Sequence, residues 1–152
     1  MASNDNFLSE IFDVARLIRA HADRRAREHG MSRAQWVILM KLDQQPGLSQ
    51  QELADLIEVE PISIGRLIDR LAERGLVERR RDPKDRRVWR LHLLPAAAPV
   101  LREITAYKAA LVESATEGVP SEALADLSRT LLMVKNNLAA DMPRMRRTAD
   151  EG

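Results

Sequence analysis

Between Glu78 and Arg90 the chain carries seven cations, Arg79, Arg80, Arg81, Lys84, Arg86, Arg87 and Arg90, against three anions, Glu78, Asp82 and Asp85. The formal net charge of the whole chain is only +1, so positive charge is segregated here and not simply abundant. Guanidinium groups offer N–H donors in a planar fork that fits phosphate oxygens. The chemistry available to this stretch is therefore the binding of a polyanion. Asp82-Pro83-Lys84-Asp85-Arg86 has the composition of a turn. Leu76 to Arg81 and Arg87 to Leu93 read as the strands on either side, with Val88, Leu91 and Leu93 as apolar anchors. A charge run on a hairpin is ordinarily a solvated face, so its meaning depends on what stands beside it.

What stands beside it is a helix. Glu60-Pro61 is a suitable start, because proline is preorganised for the first helical position. The helix is expected to run to Arg74, with Gly75 as the left-handed residue after its end and Leu76 folding back. At 100° per residue, Ile64, Leu67, Ile68 and Leu71 gather on one side. Ile62, Arg66, Asp69 and Glu73 fall opposite, flanked by Gly65 and Arg70. An apolar group and a guanidinium on an outward helix face are the groups that read a major groove, arginine on guanine and an apolar contact on the thymine methyl. Asp69 either opposes the backbone charge or orients Arg66 or Arg70; spacing alone leaves this open.

Further elements are needed to position that helix. Met31-Ser32-Arg33-Ala34-Gln35-Trp36 combines a capping box, Ser32 with Gln35, and a hydrophobic staple, Met31 with Trp36. The helix it opens continues through Leu42 and is broken by Pro46-Gly47. The same signal recurs at Leu48-Ser49-Gln50-Gln51-Glu52-Leu53, opening a short helix that ends near Ile57. Upstream, Asn6 to Glu28 reads as one long helix, with Phe7, Leu8, Ile11, Val14, Ala15 and Ile18 at spacings of three and four. Downstream, a helical pattern resumes at Pro95 and ends near Gly118, and a last helix is expected over Glu122 to Ala140, stopped by Pro143. Residues 1 to 5 read as frayed and Arg144 to Gly152 as a polar, mobile end. Apolar helices at both ends, bracketing a compact middle, imply that the terminal helices meet each other.

Composition narrows the class. At 152 residues with 45% hydrophobic and 31% charged residues, the chain fits one globular domain and not a disordered one. It has no cysteine, which excludes disulfides, thiolate catalysis and thiolate metal sites. Its three histidines, His21, His29 and His92, are too scattered for a metal site, so no metal and no cofactor is expected. There is neither a Gly-x-Ser-x-Gly element nor a phosphate-binding glycine loop, and no grouped nucleophile, base and orienter. An enzyme is therefore not expected. No run approaches the roughly 18 apolar residues of a membrane span, and the N-terminus has no basic segment leading into an apolar one. A soluble cytoplasmic protein is the default expectation.

A helix-turn-helix followed by Gly75-Leu76-Val77-Glu78-Arg79 and Asp82-Pro83-Lys84-Asp85-Arg86-Arg87 resembles the MarR family of bacterial transcriptional regulators. The resemblance spans roughly residues 6 to 140, and the Asp-x-Arg arrangement of Asp85 and Arg87 is its most specific part. It implies a mainly α fold with a small β-hairpin wing, a single domain over 1–152. Residues 31–94 would form the winged helix-turn-helix lobe, and 6–30 with 95–140 a helical dimerisation lobe. It further implies a homodimer on a pseudo-palindromic double-stranded DNA operator, usually as a repressor. Asp85 would orient Arg87 into the minor groove. Pro61, Ser63, Arg66 and Arg70 of the recognition helix, with Arg86 of the wing, complete the implied DNA-binding set. One departure is visible: Leu93-Leu94-Pro95 stands where the family commonly has Leu-Thr.

The resemblance also implies a small-molecule effector, with aromatic acids, phenolics or their thioesters as the class. Phe12, Trp36 and Met40 read first as core residues. A pocket between dimer helices and DNA-binding lobe would nevertheless draw on them. Arg16, Arg19, Arg24, Arg25 and Arg27 form either a solvated face or an attractor for an anionic effector; Arg16 and Arg19 are taken with Phe12, Trp36 and Met40 as effector candidates. The alternative to a DNA-binding regulator is a winged-helix protein-interaction module that does not touch DNA.

Overall fold

The computed structural model describes residues 6–57 and 61–149. The expectations for residues 1–5, for Glu60, for the end beyond Ala149 and for the Pro61 side chain lie outside the described residues. Among those described there are six helices and one hairpin: α1 (Asn6–Glu28), α2 (Arg33–Gln44), α3 (Gln50–Ile57), α4 (Pro61–Glu73), β1 (Val77–Arg81), β2 (Trp89–Leu93), α5 (Ala97–Ala115) and α6 (Ser121–Ala149). This is the winged helix-turn-helix arrangement. The chain divides into two compact units, Met1–Tyr107 and Lys108–Gly152.

The local signals act as their chemistry requires. The Ser32 hydroxyl accepts the Gln35 N–H at 3.2 Å while the Gln35 side chain accepts the Ser32 N–H at 2.8 Å. Ser49 and Glu52 repeat this at 3.0 and 2.8 Å. Each such cap is worth about 1 kcal/mol, because it satisfies donors that the helix itself leaves orphaned. Helix α4 ends on Gly75, whose φ of +70° a side chain would resist. The N–H of Leu76 then reaches Leu71 O at 3.0 Å and that of Gly75 reaches Ala72 O at 2.9 Å, the Schellman pattern.

In the first unit, the apolar stripe of α4 (Ile64, Ile68, Leu71) is buried with Trp36, Ile38, Leu39 and Leu42 of α2 and Leu53 of α3. Val77 of β1, Leu91 of β2 and Ile104 of α5 complete the cluster. The strands pair antiparallel, with Val77 opposite Leu93 and Arg81 opposite Trp89. The α2–α3 link docks on β2: Leu91 N–H donates to Leu48 O at 2.9 Å, and Gly47 N–H to Leu91 O at 3.0 Å. Recognition helix, short α3 and wing thus share one core, which holds the wing at a set distance from α4.

Several boundaries differ from the sequence expectation, and three of them have a local physical reason. The return strand begins at Trp89, so Arg87 and Val88 belong to the turn; the Asp85 carboxylate holds the Arg87 N–H and so takes that residue out of the ladder. Helix α5 begins at Ala97, two residues after Pro95, because Leu94 and Pro95 carbonyls first close a tight turn with the N–H groups of Ala97 and Ala98. Pro143 does not end α6, which continues to Ala149. A proline φ is compatible with a helix, and its missing N–H removes one bond without ending the spiral.

Two surfaces remain apolar and exposed. On α1 only Ala26 is buried, while Phe7, Leu8, Phe12, Val14, Leu17 and Ile18 face solvent. In the second unit no described residue is buried, and α6 exposes Leu127, Leu131, Leu132, Met133, Leu138 and Met142. Among the described residues no helix is long and apolar enough to cross a membrane.

Candidate nucleic-acid interface

The wing turn is built by two aspartates with different tasks. Asp82 Oδ1 accepts the N–H groups of Lys84 at 2.7 Å and Asp85 at 3.2 Å, which closes the turn around Pro83. Asp85 Oδ1 accepts both the N–H and the Nε–H of Arg87, each at 3.1 Å, and Oδ2 accepts from its NH2 at 3.3 Å. The grip on the guanidinium is bidentate, yet the Arg87 side chain is 91% exposed. Arg87 is therefore oriented without being buried. These contacts hold both carboxyls below their ordinary range, Asp85 chiefly through the Arg87 guanidinium and Asp82 chiefly through the Lys84 N–H.

The seven cations do not form one uniform tip. Arg90 points inward: Nε donates to Asp82 Oδ2 at 2.8 Å, and NH1 to Glu52 Oε2 at 3.1 Å and to Gly47 O at 3.3 Å. It ties the wing turn to the N-terminus of α3. Arg79 also points inward, donating to Gln50 Oε1 at 3.3 Å, Gly65 O at 3.4 Å and Asp69 Oδ1 at 2.7 Å. Arg80 pairs with Glu78. Arg81 donates to the Arg86 carbonyl and lies 4.1 Å above the Trp89 ring centroid, a cation–π arrangement. Lys84 and Arg86 have no ion-pair partner among the described residues. The positive surface left exposed is thus smaller than the charge count: Lys84, Arg86 and Arg81 face solvent without a carboxylate partner among the described residues, and Arg87 is exposed while held by Asp85.

On α4 the outward face is the expected one. Ile62 is 74% exposed, and Ser63, Arg66, Asp69, Arg70 and Glu73 are exposed as well. Pro61 supplies the first helical residue. Asp69, however, is engaged by Arg79 and orients neither Arg66 nor Arg70. The inward turn of Arg79 and Arg90 was missed by sequence reasoning. A signal existed for Arg79, since it lies two residues after buried Val77 and opposite buried Leu91, hence on the core side of the hairpin.

The effector candidates do not share one environment. Phe12 is 69% exposed, and Arg16 and Arg19 are exposed on the same helix, Arg16 paired with Asp13 at 3.4 Å. Trp36 is buried and Met40 half-buried against the core. Trp36 lies between two half-buried rings, His29 at 5.9 Å and Tyr107 at 5.7 Å between centroids. Trp36 Nε1, His29 Nε2 and the Tyr107 hydroxyl are all buried without a hydrogen-bond partner. His29 Nδ1 meets Glu103 at 2.9 Å. Burial pushes the Tyr107 hydroxyl up from its ordinary value. His29 and Tyr107 were not among the sequence candidates.

A buried-stripe helix standing beside a guanidinium-bearing hairpin defines the class as a winged helix-turn-helix protein. Its family follows from comparison. The family model for MarR matches residues 31–89. The solved transcriptional regulator PA3341 is 31% identical over 88% of this chain and 98% of its own, with a TM-score of 0.77. A MarR protein from Peptoclostridium difficile is 20% identical over 91% of this chain and 90% of its own, with a TM-score of 0.80. A putative MarR family transcriptional regulator from Listeria monocytogenes, complexed with a 26mer DNA, is 20% identical over 88% and 89%, with a TM-score of 0.77. The chain belongs to the MarR family of transcriptional regulators.

Proposed function

We propose that this protein is a homodimeric DNA-binding repressor that leaves a pseudo-palindromic operator when a small ligand binds. The observation that carries the reading is the bidentate grip of Asp85 on an exposed Arg87. A preoriented guanidinium loses less freedom on entering a minor groove, whose negative potential rises where it narrows. Ser63, Arg66 and Arg70 would meet the major groove from α4, with Ile62 beside them and Arg86 on the neighbouring backbone. The DNA-bound Listeria relative supports the same use of the fold.

The exposed apolar residues of α1 and of α6 support pairing of two chains through their terminal helices, the 6–30 and 95–140 segments forming that lobe. Pairing would set two recognition helices about one turn of DNA apart, ~34 Å. A ligand that favours a dimer of different spacing would lower affinity by its preference between the two states. The three unpartnered polar atoms of His29, Trp36 and Tyr107 support a ligand with a polar group among aromatic rings. That fits an anionic aromatic compound or a thioester of one, and such a regulator would work in the cytoplasm.

Selection from a pool of random duplexes tests the reading. It is expected to return an inverted repeat whose half-sites are centred about 10 base pairs apart, with binding that weakens steeply as salt rises. Recovery of no shared sequence would reject it.

A further inference from the structure

A cleft of about 480 Å³ opens between the α1–α2 turn and the C-terminal half of α4. Three guanidiniums line it: Arg27 from the last turn of α1, and Arg70 and Arg74 from α4. Glu73 is the one carboxylate among the lining residues. Arg74 is anchored, donating to Gly30 O at 3.1 Å and His29 O at 3.4 Å, and so closes the end of α1. Arg27 and Arg70 are different. Both are exposed, and neither has an ion-pair partner among the described residues. Ser32, at the N-terminus of the 12-residue helix α2, also lines the cleft, adding the partial positive charge of a helix start.

Like charges gathered in one concavity repel one another unless a counter-charge enters. Guanidinium forks suit an oxyanion with several acceptor oxygens. We propose that this cleft binds a phosphate-class oxyanion, bridged between Arg27 of α1 and Arg70 of α4. The site is separate from the His29–Trp36–Tyr107 ring cluster, none of whose members lines it. Arg70 also belongs to the outward set of the recognition helix, so the bound anion links the α1–α2 turn to that helix. The anion comes either from a backbone phosphate of bound duplex or from a free phosphorylated small molecule. Binding of a free anion does not depend on the DNA-binding reading; the duplex source, and any effect on the operator, rest on it.

The test uses the full-length protein, its Arg27→Gln variant and sodium pyrophosphate, with sodium chloride at matched ionic strength as control. Arg27 is exposed and unpaired, so the variant is expected to fold, which its circular dichroism spectrum checks. If the source is a free anion, pyrophosphate raises the melting temperature of the wild type but not of Arg27→Gln. It also weakens operator binding in the wild type alone. If the source is the duplex, pyrophosphate has no effect beyond chloride. Arg27→Gln then lowers operator affinity several-fold and reduces the salt slope by about one. Equal pyrophosphate shifts in both proteins, or no shift together with unchanged operator binding, would overturn the proposal. The melting measurement needs no DNA, so a failure of operator binding itself is read separately.

Discussion

The Arg79 guanidinium donates to the Asp69 carboxylate over 2.7 Å, joining the first wing strand to the outward face of the recognition helix. The same side chain reaches Gln50 of α3 and the carbonyl of Gly65. A cation inside the most basic stretch of the chain therefore serves the protein's own geometry.

Arg79→Ala is accordingly expected to weaken operator binding about tenfold, or ~1.4 kcal/mol, while the salt slope stays as in the wild type. The pair is partly exposed, so the stability loss should be within about 1 kcal/mol. Fluorescence anisotropy titrations at several salt concentrations check this. A slope reduced by about one would instead make Arg79 a phosphate contact.

Arg87→Ala should cost roughly 1–3 kcal/mol of operator affinity and leave the melting temperature near that of the wild type, because the side chain is almost wholly exposed. Asp85→Ala should weaken binding less, since Arg87 remains but loses its orientation. Mobility-shift titration at fixed salt measures both, and an Arg87→Ala protein that binds as well as the wild type would contradict the proposed wing contact.

Arg66→Ala tests direct readout from α4. Its exposed position on the outward face leads us to expect weaker operator binding together with a relaxed sequence preference, on the order of 1–3 kcal/mol of lost discrimination. Equal losses on operator and random duplex would assign Arg66 to the backbone.

Acid should loosen the joint between wing and α3. Glu52 is held below its ordinary range, first by the Ser49 N–H and then by Arg90, and Asp82 first by the Lys84 N–H and then by Arg90. Folded values below unfolded ones mean that this stabilisation is present at neutral pH and lost as pH falls through the folded values. The melting temperature should therefore drop below about pH 4. In Arg90→Met the drop should be shallower, with the part due to the two N–H bonds remaining. Melting curves from about pH 7 to pH 3 read the difference, and an identical acid limb in both proteins would deny Arg90 this role.

Pairing through the terminal helices is tested on the apolar faces themselves. Phe12→Glu and Leu131→Glu each place a charge on an exposed apolar surface. Sedimentation should give the mass of two chains for the wild type and of one for the variants, with operator affinity falling alongside. Two-chain assemblies in both variants would place the interface elsewhere.

Much of this was decided locally and is legible without coordinates. The bounds of α1, the capping boxes at Ser32 and Ser49, the stop at Gly75 and the outward set on α4 all follow from interactions within a few residues, where spacing is geometry. Asp85 and Arg87 also lie within one turn, so their pairing was expected from the resemblance and appears as a bidentate contact. What depended on the fold was the fate of each charge. Arg79 and Arg90 lie among the same kinds of neighbours as the exposed cations, yet they turn inward to partners 8 to 43 residues away. The same holds for Arg74 on the α1 carbonyls and for His29, Trp36 and Tyr107 around one another. Periodicity assigns a residue to a face, but only the packing of one element on another determines whether that face meets water or a distant carboxylate.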